Sequence, residues 1–184
     1  MKQEIIVQSS KWFRSVLLLV VIGAGFSLAA PGALAADSRS CSTSSEDRQL
    51  DFFLGDWTVT YPGMTGNAMS NVSLSLDKCL FTESWDGGKG HSGKNMFAYS
   101  ADDKAWHGMF TDNEGRVHVF EGKIGPGSAE FTGPSLGANG QKVLNRIKVV
   151  RVNPNKVEQS WEKSTDNGVT WTKEFSGEYS RKTL

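Results

Sequence analysis

KVEQSWEKSTDNGVTWTKEFSGEYS, residues 156–180, alternates apolar and polar side chains on both sides of a turn, and that alternation decides the fold. With Ser164 set opposite Thr170, Val157, Gln159, Trp161 and Lys163 share a face with Trp171, Lys173, Phe175, Gly177 and Tyr179. Glu158, Ser160, Glu162, Thr172, Glu174, Ser176 and Glu178 take the other face, which is wholly polar and belongs in water. A period of two with one wet face is the signature of a half-buried antiparallel strand pair.

The same reading extends back along the chain. Strands are expected at about 57–61, 68–77, 79–85, 94–99, 105–111, 116–124, 128–132, 142–152, 156–164 and 170–180. Gly or Asn marks nearly every junction, as in Pro62-Gly63, Asp86-Gly87-Gly88, Asn113-Glu114-Gly115, Gly125-Pro126-Gly127, Asn153-Pro154-Asn155 and Asn167-Gly168. Trp57, Trp85, Trp106, Trp161 and Trp171 each sit on one of these strands. Many short strands with no helical period between them leave two sheet edges to hide, and closing the sheet on itself hides both. The fold class is therefore all-β, a single closed antiparallel barrel of about ten strands. One short helix is expected from about Ser45 to Leu54, where Ser44-Ser45-Glu46-Asp47 offers a cap and an acidic first turn. Leu50, Phe53 and Leu54 recur there at helical spacing, as a plug for one barrel end would require.

Residues 1–35 read as a signal peptide. Lys2, Lys11 and Arg14 give a basic start, 16–30 is a small-residue-rich apolar run, and Ala33-Leu34-Ala35 is an A-x-A cleavage site. An uncleaved anchor is the alternative, weakened by Gly23, Gly25, Ser27 and Pro31 within and beside the run. Cys41 follows Ser38-Arg39-Ser40 and not a lipobox, so lipid anchoring at that Cys is not expected. Cleavage would leave a disordered segment at 36–43 and one domain at 44–184. The exported remainder, roughly 150 residues, suits a single core. Lys plus Arg and Asp plus Glu number 20 each, and the leader carries Lys2, Lys11 and Arg14 against Glu4. The exported part is then slightly acidic, and nothing in that balance recruits nucleic acid or, after cleavage, a membrane.

Export to an oxidising compartment makes the two cysteines legible, since Cys41 and Cys79 have no competing thiol. A Cys41–Cys79 disulfide is expected, and the spacing fits no zinc pattern. No metal or other cofactor is expected. Haem would need a late His, and none follows His118.

Several motifs point to structure and not to catalysis. Ser164-Thr165-Asp166-Asn167-Gly168-Val169-Thr170-Trp171 matches the Asp-box, whose chemistry is that of a turn: Asp166 accepts backbone N–H groups, Gly168 supplies a positive φ and Trp171 packs beneath. A propeller would need several copies. His107 and His118 are diagonal neighbours if Thr111 faces Arg116. Trp106, Phe110, Val117 and Val119 then form the core face and both imidazoles face solvent, with a metal or acid–base role as the alternative. His91 falls in the Gly-rich connection 87–93, expected as a rim loop. No G-x-S-x-G elbow is present.

Two polar residues fall on apolar faces. Gln159 points inward by hairpin parity, and Glu83 shares parity with Cys79, Phe81 and Trp85. Inward polar groups need partners. Their convergence on an aromatic interior describes a binding pocket; the alternative is that they bond backbone or each other at a barrel end.

Phe53-Leu54-Gly55-Asp56-Trp57 resembles the F-x-G-x-W opening of lipocalin-like and fatty-acid-binding-protein-like barrels. Over nearly the whole exported chain the sequence is similar to a bacterial lipocalin-like family classed as a domain of unknown function. Beyond the opening, the resemblance is carried by Cys79 with Glu83 and Trp85, by Asn95 to Tyr99, by Lys104 to Trp106, and by Asp112 with Gly115. Arg146-Ile147, Val157 with Gln159 and Trp161, and the ending Phe175-Ser176-Gly177-Glu178-Tyr179 complete it. It implies a fold and brings no reaction. In lipocalins the G-x-W tryptophan stacks under a basic residue from the chain end, which implies that Trp57 and Arg181 close the barrel base here.

Inward parity and the resemblance together give Glu83, Trp85, Asn95, Tyr99, Trp106, Gln159 and Trp161 as candidate ligand-binding residues. The function expected is an exported lipocalin-like protein, periplasmic or extracellular, whose partner is a small apolar or amphipathic molecule. A small-barrel isomerase or hydrolase using Glu83 with Tyr99 or a His is one alternative, and an interaction or structural protein with a filled barrel is the other.

Overall fold

The structure, a computed structural model, describes residues 39–63 and 66–182. Its strands are β1 (Gly55–Thr60), β2 (Ala68–Ser75), β3 (Leu80–Asp86), β4 (Ser92–Ser100), β5 (Ala105–Asp112), β6 (Val117–Gly125), β7 (Ser128–Leu136), β8 (Lys142–Asn153), β9 (Lys156–Ser164) and β10 (Thr172–Arg181). Each pairs antiparallel with the next, and β1 also pairs with β10, so the sheet closes. These strands follow the expected ones closely, with β7 running on to Leu136. The expected leader lies outside the described residues.

Closure works because inward positions interlock. Trp57, Val59, Phe131, Ile147 and Val157 are fully buried, each contributing about 1.5–3 kcal/mol by leaving water. Two inward glycines make room for rings on the neighbouring strand. Gly108 is paired with Phe97, whose ring would lie 2.9 Å from an added Cβ. Gly122 is paired with Phe131, whose ring would collide with one.

The expected helix at 45–54 is corrected. Only Asp51–Phe53 is helical, as a 3-10 turn, and the bonds before and through it skip three residues: Gln49 N–H to Glu46 O, Asp51 N–H to Arg48 O and Phe53 N–H to Leu50 O. Burial explains this, because Cys41, Asp47, Leu50 and Phe53 are all buried and fall on a period of three. A 3-10 winding aligns that period on one face, whereas an α-helix would rotate it away. Of the segment 36–43, residues 39–43 are described, and they are tied down by the Cys41–Cys79 disulfide and an Arg39–Asp47 ion pair.

Two register expectations also change. Thr111 pairs with Val117 and not with Arg116, and Phe110 pairs with His118. A one-residue slip turns every side chain of a strand over. Val117 and Val119 are therefore exposed, and His118 points inward beside Phe120. In the last hairpin, a bulge between Lys173 and Phe175 separates two registers. Phe175, Gly177 and Tyr179 share the face of Trp161, Gln159 and Val157 as expected, but Lys173 pairs with Glu162 and is exposed.

The N-terminal segment closes the end of the barrel where β1 begins and β10 finishes. Arg181 lies over Trp57, 4.3 Å from guanidinium carbon to ring centroid, and donates to Leu54 O at 2.8 Å. Trp57 Nε1 donates to Phe53 O at 3.0 Å. Gly55, at φ 125, is the residue whose missing side chain lets the Arg181 guanidinium through. Trp106 Nε1 donates to Gln49 at 2.9 Å, and Arg48 donates to Lys78 O at 2.5 Å, fastening the plug around the same end.

Candidate functional site

At the opposite end the barrel is open. Tyr61 just after β1, His91 between β3 and β4, Asp112 and Arg116 at the β5–β6 turn, and Lys163 of β9 with Glu174 of β10 line the mouth of a cavity of about 340 Å³. Alternation along each strand sends side chains into it from two groups. Trp85 on β3 packs edge-on against Phe175 of β10 at 6.2 Å and against His91 at 5.3 Å, with Tyr61 5.4 Å from Phe175. Trp161 of β9 is met edge-on by Phe110 at 5.2 Å and by His118 at 5.0 Å.

The cavity floor is polar. Glu83 is 1% exposed, and its two carboxylate oxygens accept from Ser70 Oγ and Asn95 Nδ2, each at 2.7 Å. Beside it the Tyr179 hydroxyl donates to Gln159 Oε1. Burial pushes the Glu83 carboxyl above the usual glutamate range, against the Ser70 and Asn95 hydrogen bonds that favour its charge. Burial, and then the neighbouring Glu83 charge, hold the Tyr179 phenol well above its usual value. Glu83 and Gln159 thus belong to one side-chain cluster on the floor of a cavity and not to the backbone of a barrel end.

The mouth is charged but internally matched. Asp112 Oδ1 accepts the Glu114 and Arg116 backbone N–H groups at 3.0 Å, and Oδ2 accepts from Arg116 Nε at 2.6 Å. Enclosure would raise this carboxyl, but the Arg116, Glu114 and His91 hydrogen bonds outweigh it and hold it at about 2. Arg116 also meets Glu114 at 3.1 Å, and Lys163 meets Glu174 at 3.1 Å. His118 is kept below the usual imidazole value by burial, and then by the Lys163 and Arg116 charges.

Five of the seven residues singled out from sequence line this cavity: Glu83, Trp85, Asn95, Gln159 and Trp161. Tyr99 and Trp106 do not. They form a pair 6.1 Å apart towards the plugged end, where Arg39 lies over Tyr99 at 5.2 Å and Trp106 binds Gln49. Parity predicts that they point inward but not how far along the barrel they sit. Sequence reasoning missed His118 because of the β5–β6 register, and it missed Tyr61, Phe110 and Phe175 as lining groups. The pairing of Glu83 with Tyr99 is not formed; the hydroxyl that meets Glu83 is that of Ser70.

His107 does face solvent, 2.7 Å from Asp103. Among the described residues no group of three or more His, Cys, Asp or Glu is arranged to hold a metal ion. The Asp-box is a turn: Ser164 Oγ donates to Asp166 at 2.7 Å, Asp166 accepts the Thr170 N–H at 2.9 Å, and Gly168 has φ 89. Trp171 stacks on Arg146 at 3.8 Å outside the cavity.

Buried polar atoms without a protein partner occur at both ends of the barrel, at Asp47 Oδ1 and Arg48 Nε of the plug and in three residues that line the cavity. Trp85 Nε1, Asn95 Oδ1 and His118 Nδ1 are buried without a hydrogen-bond partner, and all three residues line it. Such atoms cost about 1–3 kcal/mol each when left unmet.

No family model matches the chain. A search of curated proteins gives no match either. Among solved structures the chain is similar to one described as "Structure of EF1p2_mFAP2b bound to DFHBI", at 10% identity over 75% of this chain and 100% of that one. The TM-score is 0.34, too low for that likeness to carry an argument. The closed ten-stranded antiparallel barrel itself fits a calycin-like fold.

Proposed function

We propose that this protein is an exported, lipocalin-like barrel that binds a small apolar or amphipathic molecule through its open end. The observation that carries the reading is an open-ended, aromatic-walled cavity of about 340 Å³ with a polar floor built on Glu83, Asn95 and Gln159. That volume falls in the range of small-molecule sites, and the mixture of apolar wall and few convergent polar groups is what such sites have. Export is supported by the leader-like residues 1–35 and by the Cys41–Cys79 disulfide, which an oxidising compartment preserves. Among the described residues no helix is long and apolar enough to cross a membrane.

The raised carboxyl of Glu83 in an open cavity favours a second reading, acid–base catalysis. Its two oxygens are already engaged by Ser70 and Asn95, and Tyr99 lies at the other end, so the binding reading is the stronger. An apolar naphthalene-type fluorophore titrated into the full exported chain tests it. Binding with quenching of Trp emission is expected, because Trp85 and Trp161 line the cavity. Unchanged emission and no binding across apolar probes would leave a barrel that carries no ligand.

A further inference from the structure

We infer that the ligand is a neutral carbonyl compound with an apolar body, seated carbonyl-first with its oxygen on the Gln159 amide N–H. The inference rests on the ligand-binding reading above and narrows it to one chemical class. Gln159 is 7% exposed and lines the cavity. Its Oε1 accepts the Tyr179 hydroxyl, so Nε2 is the half of the amide still to be matched, and Nε2 can only donate.

No neighbouring side chain takes that N–H. The residues facing Gln159 are Gly177 on β10, which has no side chain, and Val149 on β8, whose side chain has no polar atom. Trp161, two residues along β9 on the same face, is itself a donor and is used on Asn145 Oδ1 at 3.1 Å. Gln159 Nε2 thus has no hydrogen-bond partner among the described residues, yet it is not one of the sealed atoms, which at this end of the barrel are Trp85 Nε1, Asn95 Oδ1 and His118 Nδ1. It keeps surface open to the cavity, where an entering group can reach it.

The floor calls for an acceptor and nothing more. Its side-chain oxygens are already engaged, those of Glu83 by Ser70 and Asn95 and that of Gln159 by Tyr179. A ligand hydroxyl would bring a donor of its own with no free oxygen to receive it, whereas a carbonyl oxygen only accepts. An apolar end would displace water from Nε2 and leave a buried donor unmet, which is a strong source of discrimination. A carboxylate end would sit beside Glu83 with no cation on the floor to offset it. Arg116 and Lys163 line the mouth and are matched there by Asp112, Glu114 and Glu174. The body of the ligand is apolar because Trp85, Phe110, Trp161 and Phe175 wall the space above the floor.

The test uses the full exported chain and four probes at neutral pH: 2-acetylnaphthalene, 1-(2-naphthyl)ethanol, 2-naphthoate and 2-ethylnaphthalene, each titrated by calorimetry or Trp quenching. The ketone is expected to bind about fivefold tighter than the alcohol or the carboxylate, the size of one well-made hydrogen bond. Gln159→Met keeps the length of the side chain and removes the N–H. It is expected to weaken the ketone about tenfold more than it weakens 2-ethylnaphthalene, which shares the ketone's body and so reports any change of cavity shape. Where the Tyr179 hydroxyl left behind unfolds that variant, Gln159→Met with Tyr179→Phe removes both partners and carries the same comparison. Equal weakening of ketone and ethyl probe would overturn the Gln159 assignment and leave the pocket standing. Binding of the alcohol as tightly as the ketone would overturn the acceptor-only assignment, and tightest binding of 2-naphthoate would overturn neutrality. Failure of all four probes on the parent chain would overturn both this inference and the ligand-binding reading.

Discussion

Trp57 shows how one side chain can hold a barrel end away from the cavity. It is wholly buried, capped by Arg181, and its indole N–H is used on Phe53 O. Trp57→Ala is expected to cost about 3–5 kcal/mol through the cavity it leaves, measured by denaturant unfolding, while probe affinity of the folded fraction stays unchanged. A stable variant that lost only probe binding would move Trp57 into the site. Glu83 is the opposite case, a buried acid at the site itself. Its folded-state pKa is raised by burial, so its contribution is fully present below the unfolded glutamate value of about 4.3 and is lost as pH rises through the folded value. Glu83→Gln is therefore expected to flatten the stability profile above pH 4, most visibly as a smaller loss towards neutrality. A variant profile parallel to the parent's would show that Glu83 is not the group titrating.

At the scale of elements, the β5–β6 hairpin depends on one carboxylate. Asp112 gathers the Glu114 and Arg116 backbone N–H groups and the Arg116 side chain, and sits at about 2. A depressed carboxyl stabilises above its unfolded value of about 3.9, and that stabilisation is lost as pH falls through about 2. Carboxyl-carbon NMR should show Asp112 titrating near 2, with the hairpin amides shifting in the same window; a midpoint near 4 would refute the arrangement. The same hairpin marks the limit of what sequence showed. Alternation in 156–180 was enough to place β9, the lower half of β10 and the inward Gln159. It was not enough for β6, where Val117 and Val119 look like core but the loop held by Asp112 sets Thr111 against Val117 and turns them out. Nor could periodicity foresee the bulge before Phe175 or the three-residue winding of 46–53, because both are imposed by what the segment packs against. Five cavity residues were legible from parity and resemblance; the depth of Tyr99 and Trp106 along the barrel was not.

For the whole molecule, pairing of β1 with β10 leaves the barrel with no strand edge open to another chain, and one end is plugged while the other opens on the cavity. The plug is attached twice, by packing and by the Cys41–Cys79 bond, whose sequence separation is 38. In the chain-entropy model such a closure stabilises by roughly 3–4 kcal/mol. It also makes 41–79 a covalent ring that contains the plug, β1, β2 and the loop between them. A single protease cut inside that ring therefore cannot divide the molecule: the nicked chain should run as one band on a non-reducing gel and as two once the thiols are reduced. A single cut in the 137–141 loop, outside the ring, should give two bands under either condition.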